Sequence, residues 1–254
     1  MSGRSARESR REGRLQAEDA DRREERRRRL LQVGSAAVFL AVVVVAVLIV
    51  ISANESSGGD TDLEDVGLVN HKLQGIPQSG LVLGDPRAKV TLYEYGDLQC
   101  PVCKAFSEQI VPEVIESKVR GGEAKIEFHN FTIISEESIP AGAAAIAAGR
   151  QGRGWNYIEL FYRNQGEEAS GYVTDDFLTE IARGAGVPDI AKWQKERKNN
   201  QIVEEVESTT SEAQSLGFTG TPSFAVKGPG TNGVETLGTP GEASLLEEAI
   251  EEAA

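Results

Sequence analysis

The run Ala88-Lys89-Val90-Thr91-Leu92-Tyr93-Glu94-Tyr95, followed after four residues by Cys100-Pro101-Val102-Cys103, decides how this chain is read. β-Branched and aromatic residues dominate the first segment, which predicts a strand. Its period of two puts Val90, Leu92 and Glu94 on one face. After Cys100, the residues Val102, Phe106, Ile110 and Val114 recur every four positions and predict a helix with one apolar stripe. Pro101 suits the first helical position, where its missing N–H has no partner to lose, and Pro112 predicts a kink. The two cysteines are the only ones in the chain. The ring they can close is too small to restrict the unfolded chain much, so stapling is a weak reason for them and thiol exchange a better one.

Their positions assign them different roles. At a helix N-terminus, free N–H groups and the dipole favour a thiolate on Cys100. Cys103 lies one turn in, further from solvent. Cys100 is therefore the candidate to form a mixed disulfide with a partner, and Cys103 the candidate to close or reopen the internal bond. His71 and His129 lack the spacing to complete a zinc site with these cysteines, so no metal is expected.

Downstream, Ala124 to Thr132 reads as a second strand, and the chain from there to Pro222 reads as mostly helical. The Ala-rich run Ile139–Arg150 comes first, then the aromatic run Trp155–Asn164. Thr174 predicts a cap for a helix stopping near Gly184-Ala185-Gly186, Pro188 opens another, and Gln201–Leu216 completes the block. Trp155, Tyr157, Phe161, Tyr162, Phe177 and Trp193 are expected in its core. Strands at Ser223–Lys227 and Val234–Leu237 flank a Gly-rich turn, and a last helix with a solvated glutamate face covers Glu242–Glu251. The class is α/β, with an all-helical insertion at about residues 135–216.

Upstream the character changes. Residues 1–30 hold eleven Arg against seven acids, a net charge of +4, and read as a disordered basic tail. The remainder then carries −13 − 4 = −17, which argues against nucleic acid as a partner. From Val33 to Ile51 only Ser35 is polar; at ~1.5 Å per residue this run just crosses a hydrocarbon core of ~30 Å, so a single transmembrane helix is expected at 31–52. Arginines on its entry side place the N-terminus in the cytoplasm and the catalytic domain outside it, on a single-pass protein of the cell membrane. Thiols there are not held reduced. Residues 53–80 read as a flexible tether, with an irregular lead-in over 63–84, ahead of a folded domain at 81–254.

With these motifs in order, residues 80–254 resemble the DsbA-like thiol–disulfide oxidoreductases. The resemblance is carried by Gly84-Asp85-Pro86-Arg87-Ala88 before the strand and by Asp97-Leu98-Gln99 before Cys100-Pro101-Val102-Cys103. Gly217-Phe218-Thr219-Gly220-Thr221-Pro222-Ser223 after the helical block adds to it. It implies a thioredoxin fold interrupted by a helical domain and a redox cycle without a cofactor. Glu94 becomes a buried proton acceptor for Cys103, and Thr221-Pro222 a cis-proline loop against the dithiol. Pro101, Val102, Thr221 and Pro222 become the candidate contacts for client polypeptides. The implied partners are reduced or unfolded exported proteins and a quinone-linked membrane protein for reoxidation. Val102 departs from the best-known members, which have His there; a neutral side chain cannot stabilise the neighbouring thiolate as an imidazolium does. The leading reading is a membrane-tethered enzyme that donates disulfides. The alternatives are a reductase or isomerase of the same fold, and a non-catalytic binding domain on a membrane anchor.

Overall fold

The strand expected before the cysteines lies at the centre of a six-stranded sheet in the computed structural model, which describes residues 63–254. In chain order the elements are α1 (Val66–Leu73), β1 (Gln78–Ser79), β2 (Val82–Leu83), β3 (Val90–Gly96), α2 (Pro101–Gln109) and α3 (Val111–Val114). A π-helical turn (Ile115–Val119) and β4 (Ala124–Asn130) follow. The insertion comprises α4 (Ser138–Gly149), α5 (Gly154–Arg163), α6 (Asp175–Gly184), α7 (Ile190–Glu196) and α8 (Asn200–Ser215). The chain ends with β5 (Ser223–Lys227), β6 (Glu235–Gly238) and α9 (Ala243–Ala253).

The sheet order is β1-β2-β4-β3-β5-β6, with β3 parallel to β4 and antiparallel to β5. Flanked on both edges and covered on both faces, β3 is buried almost throughout. The period of two holds: Val90 and Leu92 enter the main core with Cys103 and Phe106, whereas Tyr95 joins Phe131, Phe218 and Ala213 of α8 in a smaller cluster. One strand thus serves two cores.

The helix after Cys100 breaks where proline demands it. α2 ends at Gln109, and α3 restarts with Pro112 in its first turn, where no N–H is missed. One expectation on this helix is overturned. Val102 is not part of the buried stripe but is 48% exposed. A strict spacing of four drifts against 3.6 residues per turn, and the inward arc is carried by Cys103, Phe106 and Ser107 instead.

A second correction concerns the tether. The expected flexible segment 53–80 is folded from residue 63 onward, and His71 within it is helical. Val69, Leu73 and Ile76 are buried, and Gln78 bonds to α5 through Asn156 Oδ1 (2.8 Å) and the Trp155 N–H (3.1 Å). A two-turn helix and two-residue strands have too little periodicity to announce themselves; their order comes from docking. The expected basic tail, the expected transmembrane helix and the first part of the expected tether lie outside the described residues. Among those described, no helix is long and apolar enough to cross a membrane.

The insertion forms where its capping residues direct. The Thr174 hydroxyl accepts the Phe177 N–H (3.2 Å) at the start of α6. At its end Gly186 takes φ +73°, letting the Val187 N–H reach the Ala182 carbonyl (3.0 Å). Trp155, Tyr157, Phe161, Tyr162 and Trp193 are all buried, and Phe177 partly so.

Candidate active site

Cys100 is the N-cap of α2, with extended backbone (φ −75°, ψ 119°), and Pro101 occupies the first turn. The loop that delivers it is held by buried polar side chains. Asp97 Oδ1 accepts the Gln99 N–H (2.9 Å), and its Oδ2 accepts the N–H groups of Ile133 (2.8 Å) and Ile134 (3.0 Å). Gln99 donates to Ser135 Oγ (2.6 Å) and Ser138 Oγ (3.1 Å) and accepts from the Ala169 N–H (3.0 Å). Gln165 Nε2 donates to the carbonyls of Leu98 (2.7 Å) and Cys100 (3.2 Å). Each bond satisfies a group that burial would otherwise penalise.

Across from this loop, the Thr221–Pro222 peptide is cis. It sets the Thr221 carbonyl 3.5 Å from Cys100 Sγ, where the thiol donates to it. The Thr221 hydroxyl is buried beside the sulfur and makes no other hydrogen bond. Pro101 and Val102 are exposed on the same turn as Cys100, and Pro222 is buried behind it.

Both cysteines are free thiols, and their exposure differs little: 5% for Cys100 and none for Cys103. Their acidity differs far more. The Cys100 thiol is brought down from 9.0 to about 6, chiefly by a hydrogen bond from Cys103, then by the side-chain hydroxyl of Thr221 and the N–H groups of Cys103 and Val102, against the opposing effect of burial. Cys103 is pushed well above 9.0, first by burial and then by its bond to Cys100. Burial keeps the proton on Cys103 while hydrogen bonds favour the thiolate of Cys100, and the two effects together separate the sulfurs.

Behind Cys103 lies Glu94, fully buried and pushed up to about 8 by desolvation and by the charge of Glu159. Its Oε1 has no hydrogen-bond partner. Glu159 on α5 is equally buried, its carboxyl raised mainly by desolvation, while Lys72 and Ser107 pull it the other way. The Ser107 hydroxyl donates to it at 3.0 Å. The structure thus brings together Cys100, Cys103, Glu94, Pro101, Val102, Thr221 and Pro222. Sequence reasoning missed Gln165, Glu159, Ser107 and Lys72. Only one signal could have pointed to Glu159: a carboxylate in the middle of an otherwise apolar-aromatic helix, Trp155 to Tyr162.

A low-pKa thiol at a helix start, a high-pKa thiol one turn behind, a buried acid and a carbonyl-bearing cis-proline loop define a dithiol that exchanges disulfides. The family model described as thioredoxin matches residues 77–239, and this chain belongs to that family. It is 29% identical over 150 residues to the probable disulfide bond formation protein D of Bacillus cereus, covering 58% of this chain and 69% of the relative. Its fold matches the oxidised crystal structure of BdbD from Bacillus subtilis with a TM-score of 0.60, over 70% of this chain and 97% of that one, at 22% identity. A thioredoxin-like oxidoreductase from Silicibacter pomeroyi matches with a TM-score of 0.55 at 26% identity, over 75% and 96%. The chain is a thiol–disulfide oxidoreductase, which removes the non-catalytic binding domain from the alternatives.

Proposed function

We propose that this enzyme donates its disulfide to exported proteins from a membrane tether, with Val33–Ile51 as anchor and the folded domain outside the cytoplasm. One observation carries the redox direction: the opposed acidities of the two cysteines. A thiolate held on Cys100 near neutral pH stabilises the reduced dithiol, and a stabilised reduced form makes the disulfide a better oxidant. In the cycle, a client thiolate attacks Cys100 Sγ of the disulfide, and Cys103 leaves as a thiolate that takes the proton of Glu94. A second client thiolate then displaces Cys100, leaving an oxidised client and a reduced dithiol. An extended client segment pairs with the backbone of Thr221 beside Pro222 and passes over Pro101 and Val102. A quinone-linked membrane protein returns the electrons to the respiratory pool, a transfer favoured by the effective concentration that a tether supplies.

The test has two parts. Cys103→Ser should trap reducible adducts with exported proteins through Cys100, and a gel without such adducts overturns the client assignment. Equilibration with glutathione should give a potential well above the ~−270 mV of thioredoxin, toward the ~−120 mV of a strong oxidant. Val102 in place of a cationic neighbour favours the second reading, a reductase or isomerase, and a potential at the thioredoxin end selects it.

A further inference from the structure

Cys103 has no exposed surface, and in a mixed disulfide the client covers the Cys100 side. Its proton must then come and go through the interior. Two carboxyl groups lie behind it, and each has one oxygen, Glu94 Oε1 and Glu159 Oε2, buried without a hydrogen-bond partner. Outward from Glu159 the contacts continue. Oε1 accepts from Ser107 Oγ (3.0 Å), one turn beyond Cys103 on α2, and Oε2 is 3.7 Å from Lys72 Nζ on α1. The Lys72 side chain is 17% exposed and lines an open cavity of about 600 Å³ with Leu68, His71, Gln74, Glu116 and Arg120. Glu116 and Arg120 stand at the far end of the helical run that begins at Cys100, away from the exposed Pro101-Val102 turn.

We propose that Glu159 and Lys72 extend the buried acid Glu94 into a proton path that opens at this cavity, so that the dithiol exchanges protons with water while a client occupies Cys100. The inference rests on the role of Glu94 given above. When the internal disulfide closes, the Cys103 S–H bond breaks and its proton passes to a Glu94 carboxylate oxygen. The Cys103 sulfur bonds to the Cys100 sulfur, and the Cys100–client S–S bond breaks, its electron pair leaving on the client thiolate. The dithiol loses two electrons and the client sulfur pair gains them. The proton moves on from Glu94 to Glu159 and out to water at Lys72. In disulfide donation the same transfers run in reverse.

Several charged or titratable groups face this path. They are Cys100 and Cys103 on α2, Asp97 in the preceding loop, Tyr162 and Arg163 on α5, and Glu116 beside Lys72. The residues paired with Glu94 on the neighbouring strands are Phe128 and Phe224, which carry no charge. Two interacting carboxyls and one ammonium titrate together, so the path has a shared midpoint that its members move in opposite directions.

That opposition is the test. Reduced full-length protein is mixed with oxidised glutathione across a pH series, and the second kinetic phase, attack of Cys103 on the Cys100–glutathione disulfide, is followed. Glu159→Gln removes a competing negative charge and should lower the pH midpoint of that phase by about 1 unit; Lys72→Met removes the cation and should raise it by about 1 unit. Midpoints that stay at the wild-type value in both variants overturn the proposal. So does a uniform slowing at all pH values, which is what a merely structural role produces. If Glu94→Gln alone flattens the profile while the other two keep the wild-type midpoint, the acid role of Glu94 stands and the path falls. Should Glu159→Gln fail to fold, Lys72→Met, at a partly exposed position, decides the matter alone.

Discussion

The sheet half of the molecule and the helical insertion contribute unlike things to the same two sulfur atoms. From β3, α2 and the loop before β5 come the groups that make up the dithiol site: Glu94, Cys100, Cys103, Thr221 and Pro222. From the insertion and its leading segments come restraints. Gln165 holds two carbonyls of the cysteine loop, Ser135, Ser138 and Ala169 hold Gln99, and Glu159 sets the charge behind Glu94. Reactivity is built into the sheet half and tuned from the helical half. A thioredoxin-type scaffold can thus keep its dithiol while its acidity is adjusted by residues remote in sequence.

The widest separation of the two regions would come from emptying the core of the insertion. Trp193 is fully buried, donates its indole N–H to the Ala144 carbonyl (2.9 Å) and lies under the Arg197 guanidinium (5.0 Å). Trp193→Ala should cost about 3–5 kcal/mol in denaturant unfolding. The thiolate absorbance of Cys100 should keep its titration midpoint in the folded variant, because the partners of Trp193, Ala144, Tyr157 and Arg197, lie outside the cysteine loop. A midpoint that moves with this mutation would show that core packing, not the polar restraints, sets the acidity.

A pH experiment sharpens the comparison from the sheet side. Because Cys100 is depressed to about 6 in the folded protein, its contribution is present in full above the unfolded value near 9 and is lost as pH falls through about 6. The disulfide form has no thiolate to stabilise. The stability of the reduced form minus that of the oxidised form should therefore grow from pH 6 to pH 9, by about 2 kcal/mol after allowing for solvent screening at the loop. A gap that stays flat over this window would remove the thiolate from the account of the potential.

The narrowest test addresses a single restraint. Gln165→Ala leaves the carbonyls of Leu98 and Cys100 without their donor and should cost about 1–3 kcal/mol. It should also raise the Cys100 midpoint, because a loosened loop no longer holds the sulfur against the N–H groups of Val102 and Cys103. Unchanged acidity in this variant would confine Gln165 to stability.

Legibility differed between the halves for the same reason. β3 carries seven residues of β-branched, aromatic and alternating character, and α2 opens on a proline after a capping position, so both were readable from local pattern. The caps at Thr174 and Gly186 were readable too. α1, β1 and β2 were not, since eight and then two and two residues hold no period to speak of; they are ordered by contacts with α5 and β4. Val102 misled because a spacing of four resembles a stripe over one turn and leaves it over three.

What the sequence determined alone is the chemistry available: two cysteines at a strand-to-helix junction, an acid six residues before the first, and a Thr-Pro after a helical block. Local propensity and short-range spacing suffice for that, because each motif is confined to a few neighbouring residues. Tertiary structure alone decided how acidic each thiol is and which groups act on it. Desolvation and charge act through space, and only the folded chain brings Thr221 and Gln165 to Cys100, Glu159 to Glu94 and Lys72 to Glu159.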